Sequence, residues 1–80
     1  MKILLIEDQV QIARNIKRYL ELEGFEVDMI HDGKEGLEKA TSQVYELMII
    51  DWMLPSIDGV TIAKAVREKR AVPIIMTTAK

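Results

Sequence analysis

Short, nearly unbroken apolar runs are the feature that most restricts what this chain can fold into. Ile3-Leu4-Leu5-Ile6 and Leu47-Met48-Ile49-Ile50 contain no polar residue at all, and Pro73 introduces a further run, Ile74-Ile75-Met76-Thr77. Such runs fit strands covered on both faces, as in a parallel sheet. Residues 25–30, FEVDMI, alternate in part, which predicts a strand at a sheet edge. A proline at a strand's first residue is tolerated because no ladder bond is needed there. Between the runs lie amphipathic segments. Val10, Ala13, Ile16 and Leu20 form one apolar helical face, closed by Gly24 as a C-terminal cap. Asp32-Gly33-Lys34-Glu35 resembles a capping box, and Leu37 and Ala40 follow as an inner face. Asp58-Gly59 opens a third helical pattern with Ile62, Ala63 and Val66 inward. The order βαβαβαβ predicts a parallel sheet with right-handed crossovers and helices on both faces.

Eighty residues suit one small domain. Apolar residues make up 49% and charged ones 30%, a balance that builds a core and argues against disorder. With one Trp, one Phe and two Tyr, that core is expected to be aliphatic. The net charge of −2, with Lys and Arg dispersed among acids, argues against direct nucleic-acid binding. The absence of cysteine excludes disulfides and thiolate metal sites and favours a cytoplasmic setting. No apolar run approaches the ~20 residues that span a bilayer. The opening MKILLIED turns acidic too soon for a signal peptide.

In an open parallel sheet, ligands bind beyond the carboxyl ends of the strands. Those ends carry Glu7-Asp8, Asp51 and Thr77-Thr78. If the first and third strands are neighbours, three carboxylates crowd one edge beside a hydroxyl. Like charges so placed repel, and a hard, oxygen-seeking cation such as Mg²⁺ relieves them. A carboxylate beside Mg²⁺ can also act as a nucleophile toward phosphorus. Taken singly, each group has a plainer reading: acids after a strand favour a following helix's positive end, and threonines are good strand formers.

These segments together resemble the receiver domain of two-component response regulators. ILLIED, LEGFEV, HDGKEGLE, LMIIDWMLPSIDG and VPIIMTTA occur in the family's order. DWMLP looks most like the branch whose receivers precede a winged-helix DNA-binding domain. The resemblance implies a flavodoxin-like three-layer α/β sandwich with sheet order 2-1-3-4, the family's fifth strand and last two helices lying beyond residue 80. Residues 1–80 are then the first part of a receiver. By the same resemblance, Asp51 is the acceptor of a phosphoryl group from a sensor histidine kinase. Glu7, Asp8 and Asp51, with the backbone carbonyl of Met53, would hold Mg²⁺. Thr78 would supply the switch hydroxyl, and Pro55 and Gly59 would shape the loop after the acceptor. The output would be transcription regulation in the parent protein, with this segment acting as a phosphoacceptor rather than an enzyme. The family's lysine on the fifth strand lies outside the chain, so phosphorylation-driven switching by these residues alone is expected to be impaired.

Rival readings remain in view. A truncated or engineered half-domain would only fold or assemble, through the exposed edge of the fourth strand, which is uncharged and β-prone. Homodimers or domain-swapped oligomers would form there. A flavin-nucleotide binder would want a Gly/Ser/Thr-rich loop after the first strand, where Glu7-Asp8 instead repels phosphate. A phosphohydrolase with an aspartyl nucleophile would want a second acid where Met53 stands. His31 is read as a loop-edge histidine, the strand methionines as core filling, and Trp52 as packing against a helix.

Overall fold

The computed structural model of the chain describes residues 1–77. Four strands and three helices alternate: β1 (Lys2–Ile6), α1 (Val10–Leu22), β2 (Glu26–Ile30), α2 (Gly33–Ser42), β3 (Leu47–Asp51), α3 (Gly59–Lys69) and β4 (Ile74–Thr77). The strands form one parallel sheet in the order β2-β1-β3-β4. This is the expected flavodoxin-like arrangement, with β2 at an edge.

The pleat sends alternate residues of each strand to opposite faces. Leu4 and Ile6 of β1 join Met48 and Ile50 of β3 in the larger core, packed with Ala40, Ile62 and Val66 from α2 and α3. Ile3 and Leu5 face the other way, onto Ala13 of α1 and Val27 of β2. Leu4, Ile6, Met48, Ile50, Ile62 and Val66 are wholly removed from solvent. Burying such a side chain contributes about 1.5–3 kcal/mol, so the two apolar runs anchor the fold from its centre.

Local signals set where the helices begin and end. Gly24 lies at φ 95°, the left-handed region that a Cβ disfavours. There its N–H bonds to the Glu21 carbonyl at 3.0 Å, and the Phe25 N–H bonds to the Leu20 carbonyl at 3.1 Å. These two bonds are a Schellman motif, and Phe25 and Leu20 pack against the same α1-side core. Phe25 is thereby used to close α1, which is why β2 starts one residue later than the FEVDMI pattern predicts. Asp32 caps α2, accepting from the Glu35 N–H at 3.0 Å. Asp58 caps α3, accepting from the Thr61 N–H at 2.8 Å. At the far end of α2, the Arg70 guanidinium donates to the Gln43 carbonyl at 2.8 Å and the Thr41 carbonyl at 3.4 Å. One side chain from the end of α3 thus satisfies carbonyls that α2 leaves open.

Three expectations are corrected. Val10 is exposed, because it opens α1 and the buried face of that helix begins at Ala13. Ala63 is only half-buried, facing the shallow apolar cleft between α3 and Met76 of β4. The core is not purely aliphatic: Tyr45 is buried, and its hydroxyl donates to Asp28 Oδ2 at 2.6 Å. Among the described residues β4 pairs with β3 alone, and Ile75 on it is 50% exposed.

Candidate functional site

The carboxyl ends of β1 and β3 meet because Ile6 and Ile50 are paired in register. One residue further along, Glu7 and Asp51 therefore stand side by side, and Asp8 follows. Glu7, Asp8 and Asp51 each offer a carboxylate oxygen, and the three oxygens lie within 4.8 Å of one another. The group is sheltered: Glu7 is 3% exposed, Asp51 is 1% exposed and Asp8 is half-buried. The sequence-predicted acids are thus brought together at the mouth of the sheet.

Backbone groups fix the orientation of these acids. The Gln9 N–H donates to Glu7 Oε2 at 2.9 Å. Gln9, the N-cap of α1, makes no side-chain cap bond, so Glu7 serves an N–H at the start of that helix instead. The Met53 N–H donates to Asp51 Oδ1 at 3.1 Å. This bond joins residues two apart, an Asx-type turn that sets the carboxylate rotamer as the chain leaves β3. His31 Nδ1 lies 3.0 Å from the Glu7 carbonyl. A carbonyl oxygen can only accept, so Nδ1 carries the proton. His31 is therefore more than a loop-edge residue: it ties the end of β2 to the turn holding Glu7 and Asp8.

The loop of residues 52–58 is folded tightly against its surroundings. The Trp52 N–H bonds to the Thr77 carbonyl and the Gly59 N–H to the Trp52 carbonyl, each at 2.9 Å. A Cβ on Gly59 would come to 2.2 Å from the Asp51 carbonyl oxygen, so only glycine lets α3 start this close to the acceptor strand. Ser56 sits at φ 67°, a conformation costing a non-glycine residue roughly 1–2 kcal/mol. Leu54 and Ile57 turn inward against the larger core. Trp52 is half-exposed and does not pack away against a helix as the sequence reading expects. Trp52 follows the last residue of β3 and opens the loop, beyond the helices that cover the sheet's two faces. Met53, the expected carbonyl ligand, lies in this loop with its side chain exposed. Thr78, the expected switch hydroxyl, lies outside the described residues.

A metal fits this pocket. At an effective dielectric of about 20, two carboxylate charges at the widest separation here, 4.8 Å, repel by about 3.5 kcal/mol, and a divalent cation between them offsets this. The donors are all oxygen, the set that hard cations such as Mg²⁺ prefer.

Comparison with known proteins decides the family. The description "Response regulator receiver domain" matches residues 3–80. The chain belongs to the response regulator receiver family. This receiver is 50% identical over 80 residues to the uncharacterized transcriptional regulatory protein YclJ of Bacillus subtilis, covering 100% of the chain and 35% of YclJ. It therefore spans about a third of that relative's length. The receiver superposes with a TM-score of 0.92 on the crystal structure of response regulator protein TrrA from Thermotoga maritima in complex with Mg²⁺-BeF. There the identity is 36%, and the match covers 99% of this chain and 70% of that one. A chain from the crystal structure of histidine kinase ThkA in complex with TrrA matches with a TM-score of 0.88 and 37% identity. That match covers 98% of this receiver and 68% of the other chain.

Proposed function

We propose that this receiver takes a phosphoryl group onto Asp51 from a sensor histidine kinase and so switches a transcription-regulating output in its parent protein. The observation that carries the reading is the sheltered convergence of Glu7, Asp8 and Asp51 at the carboxyl edge of the sheet. Asp8, Asp51, Glu7 and the Met53 backbone carbonyl would hold Mg²⁺, which when bound supplies positive charge for the phosphoryl oxygens. An Asp51 carboxylate oxygen bonds to phosphorus as the P–N bond of the donor phosphohistidine breaks. The departing imidazole takes up a proton, and an acyl phosphate remains. Before transfer, the Met53 N–H holds the carboxylate to one rotamer, so little orientational freedom is lost on reaction. Thr78 would donate its hydroxyl to the phosphoryl group.

Relatives support the metal and kinase parts of this reading. TrrA has been crystallised in complex with Mg²⁺-BeF and with histidine kinase ThkA. No helix among the described residues is long and apolar enough to cross a membrane. The chain consumes its phosphoryl group stoichiometrically and is not read as an enzyme. The open β4 edge and half-exposed Ile75 favour pairing there, with a second copy or with further sheet.

The test is incubation of the intact protein with a small acyl-phosphate donor and Mg²⁺, followed by peptide mass spectrometry. A hydroxylamine-labile phosphoryl group on Asp51, absent without Mg²⁺ and absent in Asp51→Asn, is expected. Phosphorylation at another residue, or none in the intact protein, overturns the reading.

A further inference from the structure

The loop that carries Met53 meets a second element besides β3 and α3: the start of α2. Asp32 uses its two carboxylate oxygens for different tasks. Oδ2 accepts from the Glu35 N–H and caps the helix, whereas Oδ1 accepts from Ser56 Oγ at 3.3 Å. Ser56 is the described non-glycine residue with positive φ, so the bond is made at the tightest bend of the loop. Next to it, Gly33 is buried, and a Cβ there would stand 2.3 Å from the Ile57 carbonyl oxygen and 3.0 Å from that of Pro55. Both obstacles are backbone. The loop would have to retreat by at least 0.7 Å, the gap between 2.3 Å and the 3.0 Å below which real Cβ contacts do not occur. Contact on this side is therefore between main chain and main chain, clamped by one side-chain hydrogen bond.

On the receiver reading of the acidic pocket, we propose that Asp32 and Gly33, at the start of α2, are positioning residues that seat the loop of residues 52–58 and set the approach of the Met53 carbonyl to the metal. Asp51 ends β3, and Glu7 and Asp8 directly follow β1 in a turn that His31 holds, so none of the three leans on α2. The carbonyl ligand stands on a loop, and its position depends on what the loop leans against. Groups behind a metal ligand commonly alter affinity by about ten- to a hundredfold when removed.

The experiment follows the backbone amides of Met53 and Gly59 by NMR in the metal-free intact protein, then titrates Mg²⁺ into wild type, Gly33→Ala, Asp32→Ala and Asp32→Asn. Gly24→Ala is the control for lost stability, since its positive φ strains any side chain while nothing lies within 4 Å of its Cβ. Gly33→Ala and Asp32→Ala are expected to shift both amides and to weaken Mg²⁺ binding about tenfold or more. Asp32→Asn keeps one oxygen to cap the helix and turns an amide N–H toward Ser56 Oγ, which can accept, so it is expected to restore wild-type shifts and affinity. Gly24→Ala is expected to lower the unfolding midpoint and leave both site readouts unchanged. Unmoved amides and unchanged affinity in folded Gly33→Ala overturn the seat. Equal losses in Gly24→Ala also overturn it, because the effect is then general. Wild type that binds no Mg²⁺, while Gly33→Ala still moves the Met53 amide, removes the metal reading and upholds the seat.

Discussion

Replacing Tyr45 by Phe isolates one hydrogen bond whose strength depends on pH from both sides. The Tyr45 ring is buried in the connection just before β3, and its hydroxyl reaches Asp28 Oδ2 on β2 at 2.6 Å, across β1. Lys2 Nζ lies 3.7 Å from the same oxygen and 5.4 Å from the Tyr45 ring centre. Phe keeps the ring, its burial and the cation–ring contact, and removes the donor alone. Hydrogen bonds to charged groups contribute about 1.5–3 kcal/mol net. The Asp28 side chain is 34% exposed, so water and Lys2 partly replace the phenol, and the lower end, about 1.5 kcal/mol, applies. The Tyr45 bond is the main cause holding the Asp28 carboxyl below its usual 3.8, with Lys2 assisting. A depressed folded pKa contributes stability that is present above 3.8 and lost as pH falls through the folded value. The deficit of Tyr45→Phe is therefore largest near neutrality and shrinks in acid below 3.8. Burial first, then Asp28, pushes the Tyr45 phenol far above its usual 10.0. A raised pKa contributes stability that is present below 10.0 and lost as pH rises toward the folded value, so the wild type loses this advantage in alkali while Phe does not. Urea unfolding of both proteins from pH 2.5 to 11 measures the difference. A deficit that is flat with pH, or one whose dependence on acid survives in the Asp28→Asn background, which keeps an acceptor oxygen but no titrating carboxyl, would refute the account.

Other outcomes follow from the site. Adding Mg²⁺ at about 100 times its dissociation constant is expected to raise unfolding stability by about 2.7 kcal/mol, and Asp8→Ala is expected to abolish most of this rise. Denaturant curves with and without Mg²⁺ read it directly, and the single tryptophan, Trp52, reports binding beside the acceptor. Gly59→Ala drives a Cβ to 2.2 Å from the Asp51 carbonyl oxygen. Overpacking of this kind costs about 1–3 kcal/mol, offset by up to about 1 kcal/mol of helix propensity. It is expected to displace Asp51 and cut phosphoryl acceptance well beyond what the stability loss explains. Unfolding midpoints beside phosphorylation rates separate the two effects.

Much of this molecule was legible in its residues because the signals are local. The unbroken runs at residues 3–6 and 47–50 marked central strands, and they are the strands with the most deeply buried side chains. Asp32, Asp58 and Gly24 marked helix ends through short-range hydrogen-bond chemistry that depends on residues no more than five positions away. The rule for open parallel sheets then placed Glu7, Asp8 and Asp51 on one edge. Boundaries blurred where two signals competed, as at Phe25, whose strand-like side chain closes a helix instead.

Residues remote in sequence with no periodic pattern to betray them were not legible. Nothing in the letters pairs His31 with the Glu7 carbonyl, Tyr45 with Asp28, or Gly33 with the Ile57 carbonyl. The order of strands, and with it the shared edge of the three acids, came from the family resemblance; periodicity reports which face of an element is apolar. It carries no information on how closely two backbones approach or which polar groups meet once the elements pack. Those distances arise only when helices and sheet share one core, because every buried donor and acceptor must then find a partner among whatever the packing has brought beside it.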